Sequence, residues 1–269
     1  MNLEMSLNLC QEALTIAARY DTLRLHTYRD CELLHSRIAT QMHGDSTLLR
    51  FDDVGYFNRI YVGDTSILSR LAEAERFYAG CPFACELVAA DVELSAECAS
   101  ACEARGWTPG KAYSWLAAPV ERLIAPPVPS EFTIREATLG EEERFLTTYL
   151  SAFEAEKDRF PAAIRNMRHL FQQDSIAFLL ATLDEVPAGI GMTYIDGDAM
   201  FFCAGATIPA FRTRGCHHGL LAARVQLARA RNVRYVYSWA AAGGLSERNM
   251  NQAGLEIVGT TTAWLHPTA

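Results

Sequence analysis

The sequence predicts an α/β protein made of two similar halves. Strand-like and helix-like segments alternate along its 269 residues, and the prolines clustered within residues 119–129 indicate a linker. The two halves also end alike. Cys98–Leu116 and Arg248–Leu265 each show a helix, a glycine beside a large apolar residue, and a strand ending in Trp-Leu. We therefore predict an internal duplication, although two α/β halves that acquired similar breaks between helices and strands independently would give the same pattern.

The first half is predicted to span residues 1–122, with a Pro-rich linker at 123–130 and the second half at 131–269. A stripe of apolar residues predicts an amphipathic helix at the start of the chain, and turn residues divide the runs that follow. The predicted elements are helices at 3–19 and 28–42, a strand-like stretch at 47–63 with breaks at Asp52-Asp53 and Gly55, a helix from the Thr65/Ser66 cap to 78, a strand at 82–90, a helix at 94–105 and a strand at 111–120.

The second half begins again with a strand and contains two turn signals. Asp184-Glu185 joins two strand-like runs, and Asp196-Gly197-Asp198 is typical of a hairpin. The predicted elements are a strand at 132–137, helices at 140–156 and 160–172, strands at 175–183, 186–196 and 198–208, a helix at 215–231, a strand at 234–240, a helix at 246–253 and a strand at 256–265.

Composition excludes several classes of protein. There are 32 Asp and Glu residues against 24 Lys and Arg, a net charge of −8, which argues against nucleic acid or acidic membranes as partners. No run approaches the ~18 apolar residues of a membrane span. Residues 1–20 lack the basic start of a secretion signal. Eight cysteines in a chain this long do not indicate a disulfide framework, so we expect a cytoplasmic protein with reduced thiols.

Two cysteine patterns suggest alternative chemistry. A C-x3-C-x12-C-x3-C spacing could hold zinc, but the usual knuckle is C-x2-C and buried apolar cysteines account for the spacing more simply. We expect no metal. A nucleophilic Cys216 is conceivable at a helix N-terminus, with only the adjacent His217 as a partner. The four cysteines of the first pattern are Cys81, Cys85, Cys98 and Cys102.

A strand, turn and helix in the second half predict an anion site. An apolar run from Met200 to Ile208 is followed by Pro209, by an Arg-rich turn that contains Gly215, and by an Ala/Leu/Arg helix. Such a turn directs several backbone N–H groups into one space at the N-terminus of the helix. A phosphate group suits this space.

The same stretch resembles the GCN5-related N-acetyltransferases, the GNAT superfamily. The matching residues are Pro209, Arg212-Thr213-Arg214-Gly215, Leu220-Leu221 and the Asn-Gln-Ala-Gly-Leu segment at 251–255, in the element order β-α-α-β-β-β-α-β-α-β. The resemblance covers about residues 132–265. It implies tandem GNAT-like halves, each a mixed, mostly antiparallel sheet flanked by helices. It further implies direct transfer of an acetyl group from acetyl-CoA to an amine of a small molecule or peptide.

The resemblance also implies site residues. Amides of the turn would bind the coenzyme A pyrophosphate, the strand before it would pair with the pantetheine amides, and Asn249 could reach the pantetheine or the sulfur. The candidate cofactor-binding residues are Gly205, Ala206, Thr207, Arg212, Thr213, Arg214, Gly215, Cys216, His217, His218 and Asn249. The candidate catalytic residues are Asn249, Tyr237 and Glu154, with Glu156, Asp196 and Asp198 as further candidate bases.

Two residues depart from the family pattern. His217 stands where a glycine or alanine is usual, so its imidazole would crowd the phosphate unless turned outward, or pair with it if protonated. Met250 stands where the family often has a tyrosine that acts as general acid, and methionine cannot donate a proton. Both favour the alternative of a non-catalytic acyl-CoA-binding or sensor module. A longer acyl donor or another acceptor also stays open.

The first half lacks the phosphate motif. After its matching strand comes Asp64-Thr65-Ser66, and an acidic side chain opposes an anion, so we predict a degenerate copy. In the second half, Glu154, Glu156 and Asp158 suggest a cationic acceptor, although a solvated helix end explains them more simply. A homodimer is left open.

Overall fold

The computed structural model describes residues 3–29, 37–89 and 92–266. The chain forms two compact units. Unit 1 consists of Met1–Leu116, Trp239–Glu247 and Ile257–Ala269, and unit 2 of Ala117–Ser238 and Arg248–Glu256. This division by contacts differs from the predicted boundaries, which placed all of 131–269 in one domain. The predicted limits of the two duplicated halves, 1–122 and 131–269 with a linker at 123–130, stay a prediction.

The elements follow one another largely as predicted. In the first part of the chain they are α1 (Leu3–Arg29), β1 (Ile38–His43), β2 (Ser46–Phe51), β3 (Arg59–Val62), α2 (Leu71–Tyr78), β4 (Cys85–Ala89), α3 (Val92–Glu103) and β5 (Thr108–Pro119). They continue with β6 (Phe132–Glu136), α4 (Glu142–Ala152), α5 (Phe160–Met167), β7 (Ile176–Leu183), β8 (Val186–Asp196), β9 (Ala199–Thr207), α6 (Cys216–Ala230), β10 (Tyr235–Ala241), α7 (Leu245–Gln252) and β11 (Glu256–His266).

Two predictions in the first part of the chain are wrong. The helix predicted at 3–19 continues to Arg29. The helix predicted at 28–42 is replaced at its end by β1, which pairs antiparallel with β2; residues 30–36 lie outside the described residues. The strand-like stretch at 47–63 is two strands, β2 and β3, and the short 3-10 turn at Gly55–Phe57 interrupts it near the predicted breaks. The missed signal for β1 is Gly44-Asp45, a two-residue hairpin turn in which Gly44 has a φ of 56°.

Unit 1 contains strands that pair in the order β1-β2-β3-β4-β11-β5. The pairs β1–β2, β2–β3 and β4–β11 are antiparallel, and β3–β4 is parallel. The last strand of the chain therefore lies among these strands, beside β4. Apolar residues of β2, β3 and β4 form a core with α2 and α3, among them Leu48, Ile60, Leu71, Leu87 and Trp107.

Unit 2 contains strands that pair in the order β10-β9-β8-β7-β6. Three of its four strand pairs are antiparallel, and β9–β10 is parallel. Helix α6 packs on these strands, and Leu220 and Cys216 join a core with residues of β6, β7 and β8. The predicted fold class, an α/β fold whose strands pair in a mixed and mostly antiparallel way and are flanked by helices, is confirmed. Among the described residues, no helix is both long enough and apolar enough to cross a membrane.

Candidate functional site

The candidate site begins where β9 separates from β10. The two strands pair only over Ala199–Phe201 and Tyr235–Tyr237, whereas β9 keeps pairing with β8 as far as Thr207. Between Phe201 and Ala204, β9 carries one more residue than the facing part of β8, which is a β-bulge. The edge of β9 that lies beyond this bulge is therefore not used in pairing with β10.

The alternation of an antiparallel pair identifies which groups face that open edge. Ile208 donates its N–H to Ala188 O at 2.9 Å, so Ile208 and every second residue before it face β8. Gly205 and Thr207, the residues between, therefore direct their N–H and C=O groups toward the open edge.

The turn after β9 leaves its backbone donors unpaired. Thr213 and Gly215 have φ angles of 65° and 84°, which bends successive N–H groups toward one point. The first N–H group at the start of α6 that bonds to a carbonyl is that of Gly219, to Gly215 O at 3.0 Å. Within the described chain, the N–H groups of residues 213–218 donate to no protein acceptor. We call these six residues the N–H turn; their geometry suits an anion.

Gly215 is required in this turn for two reasons. Its φ of 84° lies in the left-handed region that side chains disfavour. A Cβ atom at this position would also lie 2.6 Å from Cγ of Pro129. The proline of the predicted linker therefore packs directly against the turn and helps to fix its shape.

The two arginines of the turn region are both paired with carboxylates. Arg212 donates from Nε to Thr207 O at 3.2 Å and from Nη2 to Glu154 Oε1 at 2.6 Å. Arg214 donates from Nη2 to Glu131 Oε2 at 2.5 Å. These pairs are half exposed, so water and salt weaken them. Glu154 thereby lies at the end of β9 nearest the N–H turn, and its own φ is 56°.

His217 points inward, toward α7. Its Nδ1 lies 3.1 Å from Nδ2 of Asn249, and because the amide nitrogen can only donate, Nδ1 accepts. Burial lowers the pKa of His217 to about 4, assisted by the nearby charge of Arg224. The imidazole is therefore neutral near pH 7 and cannot act there as the cationic phosphate partner considered from the sequence.

Four further residues discussed from the sequence are buried or half-buried. Tyr237 is 2% exposed and belongs to the last β9–β10 pair, opposite Phe201. Burial raises the pKa of the Cys216 thiol, which does not favour a nucleophile. Met250 is buried on α7. His218 is half-buried beside His217.

Two of the further candidate bases pair with neighbouring arginines on the surface. Glu156 lies 2.8 Å from Nε of Arg159, and Asp198 lies 3.2 Å from Nε of Arg234. Asp198 precedes β9, whereas the N–H turn follows it, so the length of the strand separates the two. Both ion pairs are strongly exposed, as expected of solvated side chains.

Sequence reasoning missed Arg224. This residue of α6 is 3% exposed and donates from Nη1 to Ala204 O at 3.2 Å, beside the bulge. Burial lowers its pKa to about 10, so it stays protonated near pH 7. In the described residues no carboxylate forms an ion pair with it. The available signal was an arginine at helical spacing within the apolar face of Leu220, Leu221 and Val225.

The corresponding turn of unit 1 is filled by the protein itself. Asp64 accepts from the N–H of Ser66 at 2.7 Å and from the N–H of Asp45 at 2.6 Å. The four patterned cysteines are buried, and burial raises the pKa of Cys98 and Cys102 to about 12. Among the described residues, no group of three or more His, Cys, Asp and Glu side chains is arranged to hold a metal.

No protein-family model matches the sequence, and no curated protein matches it either. Solved structures match most of its length. A GCN5-related N-acetyltransferase from Kribbella flavida has a TM-score of 0.61 at 19% identity, over 94% of this chain and 96% of the other. One from Sphaerobacter thermophilus has a TM-score of 0.61 at 17% identity, over 90% and 85%. A tandem GNAT protein from the clavulanic acid biosynthesis pathway has a TM-score of 0.63 at 12% identity, over 99% and 97%.

These likenesses establish the fold. The chain has the tandem GNAT fold that its sequence motifs predicted, and the match to the tandem GNAT protein extends along nearly its whole length. The fold that the resemblance implied is thus confirmed for the first half as well as for the second, where the motif lies.

Proposed function

We propose that this protein is an acetyl-CoA-dependent N-acetyltransferase that moves an acetyl group directly to an amine of a small molecule or peptide. The observation that carries the proposal is the continuity of two features in unit 2. The open edge of β9, with Gly205 and Thr207 facing outward, is followed after the short 3-10 turn Pro209–Phe211 by the N–H turn at 213–218. Solved GCN5-related N-acetyltransferases share the fold that supports both features.

The N–H turn suits the pyrophosphate of coenzyme A. Six unpaired N–H groups and the positive end of the α6 dipole would meet the phosphate oxygens. Arg212 and Arg214 add positive charge, although their exposed carboxylate partners compete for it. The side chain of His218, the last residue of the turn, offers a further donor. This arrangement favours an anion without any metal ion.

The open edge of β9 suits the pantetheine arm. The arm is an extended chain with two amides, which can pair with outward-facing N–H and C=O groups as an added strand does. Residues 203–207 span roughly 13 Å at about 3.3 Å per residue, a length comparable with the extended arm. A cofactor anchored at the N–H turn would therefore carry its thioester to the neighbourhood of the bulge and Cys203.

The transfer itself needs a polarised carbonyl and an acceptor for one proton. The amine nitrogen bonds to the acyl carbon, the C–S bond breaks, and the proton of the amine passes to a base or to water. Tyr237 belongs to the last strand pair before the bulge, whereas Glu154 is bonded to Arg212 near the N–H turn. Position therefore favours Tyr237 over Glu154 as the group nearer the acyl end, with Asn249 as a contact to the arm.

A non-catalytic acyl-CoA-binding or sensor module is the second candidate. Two observations favour it. Met250 offers no proton to the leaving thiolate, and the bond between His217, a residue of the N–H turn, and Asn249 ties α6 to α7. A thiol whose pKa is not far above neutral can still leave without a general acid, so slow catalysis remains compatible with Met250.

Thermal unfolding with acetyl-CoA tests both candidates. A ligand present at 100 times its Kd stabilises the folded state by about 2.7 kcal/mol, so we expect the melting temperature to rise by several degrees. Arg214→Glu should abolish most of this rise. Arg234→Glu is the matched control, because it also breaks an exposed pair with a carboxylate, at the opposite end of β9.

The absence of any rise with excess acetyl-CoA in the wild-type protein contradicts both candidates. An equal loss of the rise in the two variants contradicts the assignment of the N–H turn. Thiol release from acetyl-CoA over a panel of amines then separates the two functions. Binding without release for any amine favours the sensor module.

A further inference from the structure

We propose that Arg224 is the residue that makes the thiol of coenzyme A a good leaving group in this protein. It does so by holding the bulge of β9 and by supplying a buried positive charge beside it. The inference rests on the proposed acetyl-CoA site. It assigns the stabilisation of the leaving thiolate to Arg224, because Met250 cannot donate a proton and the sequence motif contains no other residue for this task. Arg224 acts through the backbone of β9 and through its charge, so it is a positioning residue.

Arg224 occupies a space that glycines leave open. A Cβ atom at Gly205 would lie 2.7 Å from Nη2 of Arg224, and one at Gly191 would lie 3.5 Å from its Cδ and Nε. Gly191 and Gly205 face each other in the β8–β9 pair. The guanidinium group therefore lies against the sheet at Gly205, the residue whose N–H and C=O face the open edge.

Two side chains hold the bulge from different elements. Arg224 donates from Nη1 to Ala204 O at 3.2 Å, and its guanidinium carbon lies 4.9 Å from the ring centre of Phe202. From β10, Ser238 donates from Oγ to Phe202 O at 2.9 Å. The carbonyl groups of the two residues that flank Cys203, Phe202 and Ala204, thus each accept a hydrogen bond from a side chain. This leaves the bulge with a defined shape next to the open edge.

The charge of Arg224 is weakly compensated. The titratable groups whose charges interact with it are His217 on its own helix and Cys203 on β9, while β8 presents Gly191. His217 is neutral near pH 7. A positive charge that is buried without a carboxylate partner acts over several ångströms with little screening, and it stabilises a negative charge that develops nearby.

That negative charge is the thiolate. When the amine nitrogen bonds to the acyl carbon, the electron pair of the C–S bond goes to sulfur, and the amine proton goes to a base or to water. Because Met250 cannot protonate the sulfur, the thiolate must be stabilised as an anion. Arg224 supplies that stabilisation, and the same interaction lowers the pKa of the thiol in the bound product, coenzyme A.

The pKa of bound coenzyme A can be measured without knowing the acceptor. A thiolate absorbs ultraviolet light more strongly than the thiol does. The ultraviolet absorbance of the coenzyme A complex is therefore measured as the pH is varied. The S-methyl-coenzyme A complex, which has no thiol, serves as the blank for titrating protein groups. In the wild-type protein the bound thiol should titrate below free coenzyme A. In Arg224→Met it should titrate roughly one to two units higher than in wild type. Arg224→Lys, which keeps the charge, should recover most of the difference.

Arg231→Met is the control. It removes one positive charge just after the same helix, from an exposed residue 4.0 Å from Glu136, and it should leave the thiol pKa at the wild-type value. Equal thiol pKa values in wild type and Arg224→Met, with coenzyme A bound to both, overturn the inference while leaving the proposed function intact. No binding to wild type overturns the proposed function instead. If Arg224→Met does not fold, Arg224→Gln and Arg224→Lys decide by the same measurement.

Discussion

Two parallel strand pairs, β3–β4 in unit 1 and β9–β10 in unit 2, occupy the same place in the order of elements. In unit 1 the pairing continues over four residues, from Arg59 opposite Glu86 to Val62 opposite Ala89. In unit 2 it stops after three, and β9 runs on with one edge open. The same topology therefore supports either a closed sheet or a strand edge that can take a ligand.

Side chains account for the closed pair. Arg59 donates from Nε to Glu86 Oε2 at 2.9 Å, and these two residues are direct neighbours in the register. Tyr113 donates to the other oxygen of Glu86 at 3.0 Å, and Trp239 lies over the guanidinium at 4.7 Å. In unit 2 the buried arginine of the candidate site bonds to a backbone carbonyl of the bulge and forms no ion pair with a carboxylate of the described residues.

Breaking the closed pair should have the largest effect. Arg59→Met leaves the carboxylate of Glu86, whose side chain is only 15% exposed, without its guanidinium partner, and we expect the free energy of unfolding to fall by about 3 kcal/mol. The double variant Arg59→Met/Glu86→Met should recover most of this loss, because no buried charge is then left alone. Denaturant unfolding measures both values.

The same variants test whether the two strand pairs have separate roles. The affinity for acetyl-CoA should be unchanged in Arg59→Met wherever the protein is folded, since the candidate site lies in unit 2. A parallel loss of affinity in the single and double variants contradicts the separation of roles. Equal stability of wild type and Arg59→Met contradicts the account of the closed pair.

The N–H turn should be the next most sensitive feature. Gly215→Ala places a Cβ atom against Pro129 in a left-handed conformation, and we expect a loss of roughly 1–3 kcal/mol in stability together with loss of acetyl-CoA binding. Gly197→Ala is the matched control, because Gly197 has a φ of 60° and nothing within 4 Å of the added Cβ. It should show the strain alone and keep acetyl-CoA binding.

Asp64 in unit 1 should show a smaller effect that depends on pH. Hydrogen bonds from the Ser66 side chain and the N–H of Asp45 hold the pKa of this carboxylate below its usual range. A lowered folded-state pKa adds stability that is present above the unfolded pKa, near 4, and is lost as the pH falls through the folded value. Asp64→Ala should therefore cost about 1 kcal/mol at pH 7.

The pH dependence separates this account from a packing effect. The difference in free energy of unfolding between wild type and Asp64→Ala should shrink as the pH is lowered from 5 toward 2. A difference that stays constant over this range contradicts the role of the ionised carboxylate in filling the turn.

Local signals explain what could be predicted from the sequence. The apolar run to Ile208, the break at Pro209 and the glycine at 215 lie within a few residues of one another, so the strand, turn and helix were predicted correctly. The hairpin at Gly44-Asp45 carried a signal of the same kind, but the helical interpretation of 28–42 overrode it. In both places, residues close together in the sequence contained enough information to predict the local structure.

Long-range contacts explain what could not be predicted. The bulge in β9 depends on its register with β8, and the burial of Arg224 depends on two glycines in other strands. The position of β11 beside β4 pairs Trp264 with Leu87. The inward turn of His217 depends on Asn249, 32 residues later. None of these pairings has a periodic or compositional signal.

His217 offers the smallest and sharpest test of the open edge. Its bond to Asn249 exists without a ligand, and a net hydrogen bond contributes about 0.5–1.5 kcal/mol. If an entering cofactor must break this bond and displace the imidazole, His217→Ala should tighten acetyl-CoA binding roughly two- to tenfold at pH 7, as measured by calorimetry. His218→Ala, on the neighbouring residue, should not tighten binding. Weaker binding in His217→Ala shows instead that the imidazole contacts the cofactor, and the residue that departs from the family pattern is then part of the site.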